Sequence, residues 1–227
     1  MKRIFTASAL LLPLLMTGQS YVGKFDHNPI ERDSKRVVQY RPTSDGYIMS
    51  ENGKNLYTRA LYGGNTAFRV ETSDRPIFGA YHGKDNRNIH FTVTSGGRTL
   101  RLDSVAACRS YYRGGERRYE LTDPAWGKGR ITLTVLAPRD FEGAVWRIDA
   151  DGMPKDARLT AVACPTVKVK LSRNGDMGAD PANAFAPGDM SDKKSAVTNI
   201  GGKKQTAYIE YADRDITAAD QKKLSAD

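Results

Sequence analysis

The 227-residue sequence is poor in the residues that many enzymes and metalloproteins use for chemistry. It has two cysteines, three histidines and two tryptophans. His27, His82 and His90 are not grouped with cysteines or carboxylates at metal-ligand spacing, which argues against a zinc site. The nucleophile elbow, the phosphate-binding loop and the dinucleotide fingerprint are also missing. We therefore predict no metal, no cofactor and no catalytic residue in this chain.

Long apolar runs are equally scarce, since no stretch of the sequence approaches the 18 residues of a membrane-spanning helix. We therefore predict no integral membrane segment. The short apolar stretch 7–16 follows Lys2 and Arg3 and precedes small residues at 17–20. This order predicts a cleaved export signal over residues 1–20 and a periplasmic or extracellular location. An uncleaved N-terminal anchor is the alternative.

The charge is strongly unbalanced, because 35 lysines and arginines face 26 acidic residues, which gives a net charge of +9. The basic residues form scattered doublets, whereas nucleic-acid binders concentrate them on one face or arm. We therefore predict no nucleic-acid partner. A generally basic, solvated surface is the simplest interpretation. An acidic polysaccharide or another anionic surface is the partner that an exported basic protein would suit.

The two cysteines, Cys108 and Cys164, both lie in apolar, strand-like surroundings. Export would permit a disulfide between them. Buried free thiols behave as small hydrophobic groups, and this interpretation suits their surroundings better. The sequence favours two free, buried cysteines but leaves the disulfide open.

An apolar–polar alternation with a period of two runs from residue 37 to residue 212 and predicts an all-β fold. Turn residues separate the segments, and Asn52-Gly53 predicts a tight hairpin. Such spacing is typical of a large antiparallel β-sandwich. No fixed-period repeat is present, which argues against propellers and solenoids. The main predicted strands are 37–41, 47–50, 66–71, 89–94, 99–103, 108–112, 117–121, 130–136, 144–150, 158–164, 166–171 and 206–212.

The remaining segments complete a domain plan. We predict a flexible arm at residues 21–36 and the sandwich at residues 37–213. Within the sandwich, residues 172–202 are predicted to form a long irregular loop. At the C-terminus, Thr217 followed three residues later by Asp220 resembles a helix cap. We therefore expect residues 214–227 to begin an interdomain linker helix, with a frayed tail as the alternative.

Two runs carry a resemblance to a known family: RALYGGNTAFRVE at residues 59–71 and SRNGDMGADP at residues 172–181. With them, roughly residues 37–200 resemble a family of secreted proteins from gut Bacteroidetes. In that family an N-terminal β-sandwich precedes a helical toroid of the six-hairpin glycosidase type. The resemblance implies that this chain is the non-catalytic sandwich of a glycoside-hydrolase-like protein, separated from its toroid. A free-standing carbohydrate-binding or surface-adhesion module is the alternative.

Candidate site residues follow from these runs and from one loop aromatic. Arg69 and Glu71 should share one sheet face, either as a solvated ion pair or as part of a surface for a sugar or an adjacent domain. Trp126 lies in a loop and is a candidate for sugar stacking, whereas Trp146 alternates with Ile148 and should be core. Asp176 could belong to a weak calcium site or simply to a turn. The candidates for a carbohydrate or domain interface are Asn65, Arg69, Glu71, Asp74, Trp126, Arg173 and Asp176.

Overall fold

The computed structural model describes residues 40–54, 57–64, 68–82, 85–167, 185–212 and 215–219. Within these residues the chain forms fifteen β-strands, three 3-10 turns and no α-helix. The strands are β1 (Tyr40–Pro42), β2 (Ile48–Glu51), β3 (Tyr57–Leu61), β4 (Arg69–Ser73), β5 (Ile77–Tyr81), β6 (Arg87–Ser95), β7 (Arg98–Arg101), β8 (Ala107–Arg113), β9 (Glu116–Thr122), β10 (Arg130–Leu136), β11 (Gly143–Asp151), β12 (Arg158–Pro165), β13 (Lys194–Asn199), β14 (Gln205–Ala212) and β15 (Asp215–Ala218).

The strands form two antiparallel sheets. The eight-stranded sheet has the order β1-β2-β8-β9-β10-β11-β14-β15. The seven-stranded sheet has the order β13-β12-β6-β5-β4-β3, and β7 also pairs with β6. The sheets pack face to face, so the predicted all-β antiparallel sandwich is confirmed.

The alternation along each strand explains why the sheets pack as they do. In β10, Ile131, Leu133 and Val135 are buried and the residues between them face outward. The opposite sheet supplies Phe78 and Phe91, whose ring centroids lie 5.4 and 5.5 Å from that of Trp146. Edge-on ring contacts of this kind add to the stabilisation from area burial. Trp146 is fully buried, as predicted.

Both cysteines are free and buried, in agreement with the favoured interpretation. Burial raises the pKa of the Cys108 thiol to about 12. Burial also raises the pKa of the Cys164 thiol. Both thiols therefore stay protonated and unreactive at neutral pH.

The predicted hairpin at Asn52-Gly53 is wrong. Asn52 does adopt a positive φ of 48°. However, β2 pairs with β1 and β8, whereas β3 belongs to the other sheet, so this segment carries the chain from one sheet to the other. Glycine is needed at position 53 for space, because a Cβ there would lie 2.5 Å from the Asp74 Cβ.

Two further predictions fail near the C-terminus. Strand β13 lies inside the segment predicted as an irregular loop, where pairing with β12 determines its conformation. Residues 215–218 form β15 instead of a helix, because Ile216 packs into the core opposite Tyr211. The sandwich therefore extends past the predicted boundary at residue 213. The predicted signal (1–20), the predicted arm (21–36) and most of the 166–171 strand lie outside the described residues.

Candidate functional site

The predicted site residues do not form a single site. Arg69 and Glu71 lie on the outward face of the seven-stranded sheet, whereas Asp74 and Trp126 are buried in the interior. Asn65, Arg173 and Asp176 lie outside the described residues. The interface predicted from the sequence therefore divides into separate environments.

Arg69 and Glu71 form the ion pair that their same-face spacing predicts. The Arg69 Nε donates to the Glu71 Oε1, and the guanidinium carbon lies 3.8 Å from the ring centroid of Tyr81. The side chains are 17% and 7% exposed, so the pair is largely desolvated. The interpretation as an ordinary solvated pair is wrong. Glu71 is a buried carboxylate that is paired with Arg69.

Phe185 explains why this outward face is not open to water. Its ring packs on Gly79, where a Cβ would lie 2.4 Å from the ring, and its carbonyl accepts a hydrogen bond of 2.8 Å from Asn88 Nδ2. His90 lies on the same outward face and is only 6% exposed. Its Nδ1 is 2.7 Å from the Asn88 Oδ1. Burial, aided by the positive charge of Arg101, lowers the pKa of His90 to about 4.

Asp74 belongs to a polar network between the two sheets, so its predicted role on an exposed surface is wrong. Its Oδ1 accepts a hydrogen bond of 2.6 Å from Arg117, and its Oδ2 accepts one from the Tyr40 hydroxyl. Arg117 also donates to the Ser110 Oγ at 3.1 Å, and that oxygen is 2.8 Å from the Ser50 Oγ. These bonds compensate for the burial of two opposite charges.

Trp126 occupies a loop, as predicted, but its indole faces inward. It is 4% exposed and belongs to the main hydrophobic core. The preceding Asp123 caps a 3-10 turn by accepting a hydrogen bond of 2.9 Å from the Ala125 amide. This cap directs the tryptophan into the sandwich. Trp126 is therefore not available for sugar stacking, and the prediction that it faces a ligand is wrong.

The YGG part of the first run packs two connections against each other at one end of the sandwich. A Cβ on Gly63 would lie 2.0 Å from the Pro138 carbonyl oxygen, and one on Gly64 would lie 2.2 Å from that of Arg139. Only glycine allows this approach of the β3–β4 connection to the β10–β11 connection. We call this end of the sandwich, formed by Tyr62 to Gly64 and residues 136–142, the loop end.

The loop end exposes large apolar side chains. Tyr62 is 52% exposed, Leu136 47% and Phe141 37%. Beside them, His82 Nε2 lies 3.3 Å from the Glu142 Oε2 and connects a third loop to the same end. Sequence reasoning missed this surface. The Gly-Gly pair was the available signal, because consecutive glycines often mark a close backbone approach.

The described residues contain no group of three or more histidine, cysteine or acidic side chains that could hold a metal ion. They also contain no helix that is long and apolar enough to cross a membrane.

A comparison with protein families matches residues 85–226, more than half of the chain, to a domain of unknown function, DUF4450. The chain belongs to the DUF4450 family. No curated protein and no solved structure matches it. The DUF4450 match begins just before β6, yet β5 pairs with β6, and Phe78 of β5 lies at the centre of the core. The sandwich therefore includes strands that the family match does not cover.

Proposed function

We propose that this chain is the N-terminal, non-catalytic β-sandwich of an exported, glycoside-hydrolase-like protein of a Bacteroidetes species that takes part in glycan degradation. In this role its loop end packs against a helical toroid. The resemblance of the two sequence runs to that family supports the architecture. The exposed apolar side chains at the loop end support the choice of surface.

The exposure of Tyr62, Leu136 and Phe141 at one end of the sandwich is the observation that carries this proposal. Their exposure leaves apolar area in water beside a rigid contact between two backbone segments. Several large apolar side chains exposed at the same end of a domain favour a protein-interaction site there. A partner that covered this end would recover the burial free energy of those side chains.

Close backbone packing also restricts part of the loop end, which favours docking. The close packing of Gly63 and Gly64 against the 138–139 backbone leaves little room for rearrangement. Arg69 begins β4 directly after this connection and keeps 17% of its side chain exposed. A surface ordered before binding loses less conformational entropy when the partner arrives.

The test needs the toroid and a variant that removes only the apolar contacts. The toroid is the helical segment that we expect to be encoded after this chain in the same reading frame, prepared as a separate polypeptide. The variant Tyr62→Ser/Phe141→Ser should weaken its binding in a calorimetric titration by about tenfold or more. Val197→Ser is the matched control, because Val197 is 55% exposed but lies on β13. Absence of a helical segment in the reading frame, or equal binding by both variants, would refute the proposal.

The alternative role, a free-standing carbohydrate-binding or surface-adhesion module, is favoured by another observation. The outward face of the eight-stranded sheet carries arginines, tyrosines and threonines in one cross-strand row. Carbohydrate binding by that row would not require docking at the loop end.

A further inference from the structure

An open cavity of about 400 Å³ lies at the end of the sandwich that is opposite to the loop end. Its walls come from the β6–β7 hairpin, from the β11–β12 connection with the start of β12, and from the end of β13. The side chains that line it are all polar or charged: Thr94, Ser95, Lys155, Asp156, Arg158 and Asn199. An apolar ligand would find no matching surface here, so the cavity suits a polar or charged group.

Strand register places Arg158 in the middle of the cavity wall. It is paired with Thr94 on β6 and with Asn199 on β13. Paired residues of neighbouring antiparallel strands lie roughly 5 Å apart and point to the same side of the sheet. Lys155 lines the same cavity from the connection that leads into β12. The two cationic side chains and the amide of Asn199 therefore border one space.

The one carboxylate of the cavity is turned toward the β6–β7 hairpin. The Asp156 Oδ1 accepts a hydrogen bond of 2.7 Å from the Ser95 hydroxyl, and its Oδ2 accepts one of 2.6 Å from the Gly96 amide. Neither Lys155 nor Arg158 forms an ion pair or a hydrogen bond with a side chain in the described part of the chain. Two cations with unused donors and one occupied carboxylate leave the cavity with a net positive charge.

Asn199 adds a neutral donor in a fixed orientation. Its Oδ1 accepts a hydrogen bond of 2.9 Å from the Gly201 amide, which leaves its Nδ2 available as a donor. The cavity therefore offers unused donors from three separate positions of the chain. A carboxylate ligand has two oxygens in one plane, whereas a phosphate or sulfate group presents three or more oxygens in different directions. Donors on several sides of a cavity suit the second geometry better.

The surroundings of the cavity add to its positive charge. The β9–β10, β11–β12 and β13–β14 connections pack together at this end. A Cβ on Gly152 would lie 3.4 Å from the Lys128 carbonyl oxygen, and one on Gly201 would lie 2.2 Å from that of Lys155. Asp123, the other acidic residue on these connections, accepts hydrogen bonds from two backbone amides. A concentration of positive charge attracts anions to such a site. The connections carry four exposed lysines: Lys128, Lys155, Lys203 and Lys204.

We propose that this cavity binds a tetrahedral oxyanion, either as free sulfate or phosphate or as the same group carried in an ester on a sugar. Lys155 and Arg158 bind its oxygens through charged hydrogen bonds, and the Asn199 Nδ2 donates another. The site lies at the opposite end from the loop end, so it does not depend on docking there.

The test is calorimetric titration with sodium sulfate, sodium phosphate and sodium acetate, and then with a sulfated galactose oligosaccharide and its unsulfated counterpart. Sulfate or phosphate should bind about tenfold or more tightly than acetate, and the affinity should fall as sodium chloride is added. Tighter binding of the sulfated sugar than of inorganic sulfate would identify the ester as the ligand. Equal or tighter binding of the inorganic ion would identify the free ion, and either result supports the site.

Three variants test the donors. Lys155→Gln and Arg158→Gln should each weaken sulfate binding by about tenfold. Asn199→Asp keeps an acceptor for the Gly201 amide but replaces the Nδ2 donor with an oxygen, so it should weaken binding by at least as much. Lys194→Gln is the matched control, because it also removes one positive charge. Lys194 is exposed at the other end of β13, so its replacement should leave the affinity unchanged.

Thermal melting identifies a variant that fails to fold, and the exposed Lys155 and Arg158 side chains keep the test independent of Asn199→Asp. Equal affinity for acetate and for the tetrahedral ions would overturn the proposal, as would an equal loss in Lys194→Gln. So would full affinity in Asn199→Asp, or no binding of any tested ion or of the sulfated sugar. The variant Tyr62→Ser/Phe141→Ser should keep full anion affinity, which separates this site from the docking role.

Discussion

Arg117 and Asp74 form an ion pair across the interior of the sandwich, with 2.6 Å between the Arg117 Nη2 and the Asp74 Oδ1. Arg117 belongs to β9 of the eight-stranded sheet, and Asp74 directly follows β4 of the seven-stranded sheet. Their side chains are 3% and 1% exposed. The pair therefore connects the two sheets where the apolar core gives way to polar residues.

Removal of Asp74 should be strongly destabilising. Asp74→Ala leaves the Arg117 charge buried without its partner, so we expect a loss of about 3–5 kcal/mol in the free energy of unfolding. Urea denaturation measures it. Asp151→Ala is the control, because it breaks the exposed pair with Arg130 and should cost about 0–1 kcal/mol. Similar losses in the two variants would contradict the assignment of Asp74 to a desolvated pair.

Two arginine–carboxylate pairs of identical sequence spacing test how burial changes their energetics. Arg69–Glu71 and Arg147–Asp149 each join residues two apart on one strand, but their arginine side chains are 17% and 55% exposed. Arg69→Ala should cost about 1–3 kcal/mol, because Glu71 loses the donor that balances its burial. Arg147→Ala should cost less than about 1 kcal/mol. Denaturant unfolding of both variants measures these losses in the free energy of unfolding. Equal, small losses would mean that Glu71 stays hydrated.

Gly79 should not tolerate a side chain. Gly79→Ala brings a Cβ within 2.4 Å of the buried Phe185 ring, so overpacking should cost about 1–3 kcal/mol. Gly114→Ala is the matched control, since no atom lies within 4 Å of its added carbon. Combining Gly79→Ala with Phe185→Leu should cost less than the sum of the two single changes, because the smaller side chain makes room. An unchanged melting temperature of the Gly79→Ala protein would show that Phe185 does not pack on this glycine.

His90 should make stability depend on mildly acidic pH. Its folded-state pKa is about 4, below its ordinary value of 6.5. Between these values the unfolded chain binds a proton that the folded chain excludes. The stability that the neutral His90 side chain contributes is therefore fully present above about pH 6.5 and is lost as the pH falls toward 4. From pH 7 to pH 5 wild type should lose about 1–2 kcal/mol more than His90→Gln, measured by urea unfolding at both values. Parallel losses in the two proteins would contradict this prediction.

The sequence predicted the strands well where a local alternation sufficed. Residues 130–136 were assigned to β10 with both ends correct, because Ile131, Leu133 and Val135 alternate with polar residues. The alternation also paired Arg69 with Glu71 on one face. It could not reveal what covers that face. Phe185 is distant in sequence and packs on Gly79, which is paired with Glu71, so the outward-pointing Glu71 is nevertheless buried.

Pairing between distant segments accounts for the other failures. The residues of β13 carry no strong strand pattern and become a strand because β12 offers an edge. Thr217 and Asp220 match a helix cap, but Ile216 gains more from the core of the sandwich. Trp126 could be assigned to a loop, yet the direction of its side chain depends on the cap made by Asp123.

Hydrogen exchange with and without the toroid tests the proposed docking role most directly. Docking at the loop end predicts slower amide exchange at Tyr62, Gly63 and residues 136–142 when the toroid is bound. Exchange should remain unchanged at Gly96 and Asp156, which belong to the opposite end of the sandwich. Protection confined to that opposite end or to the outward face around Thr134, or no protection at all, would contradict the account.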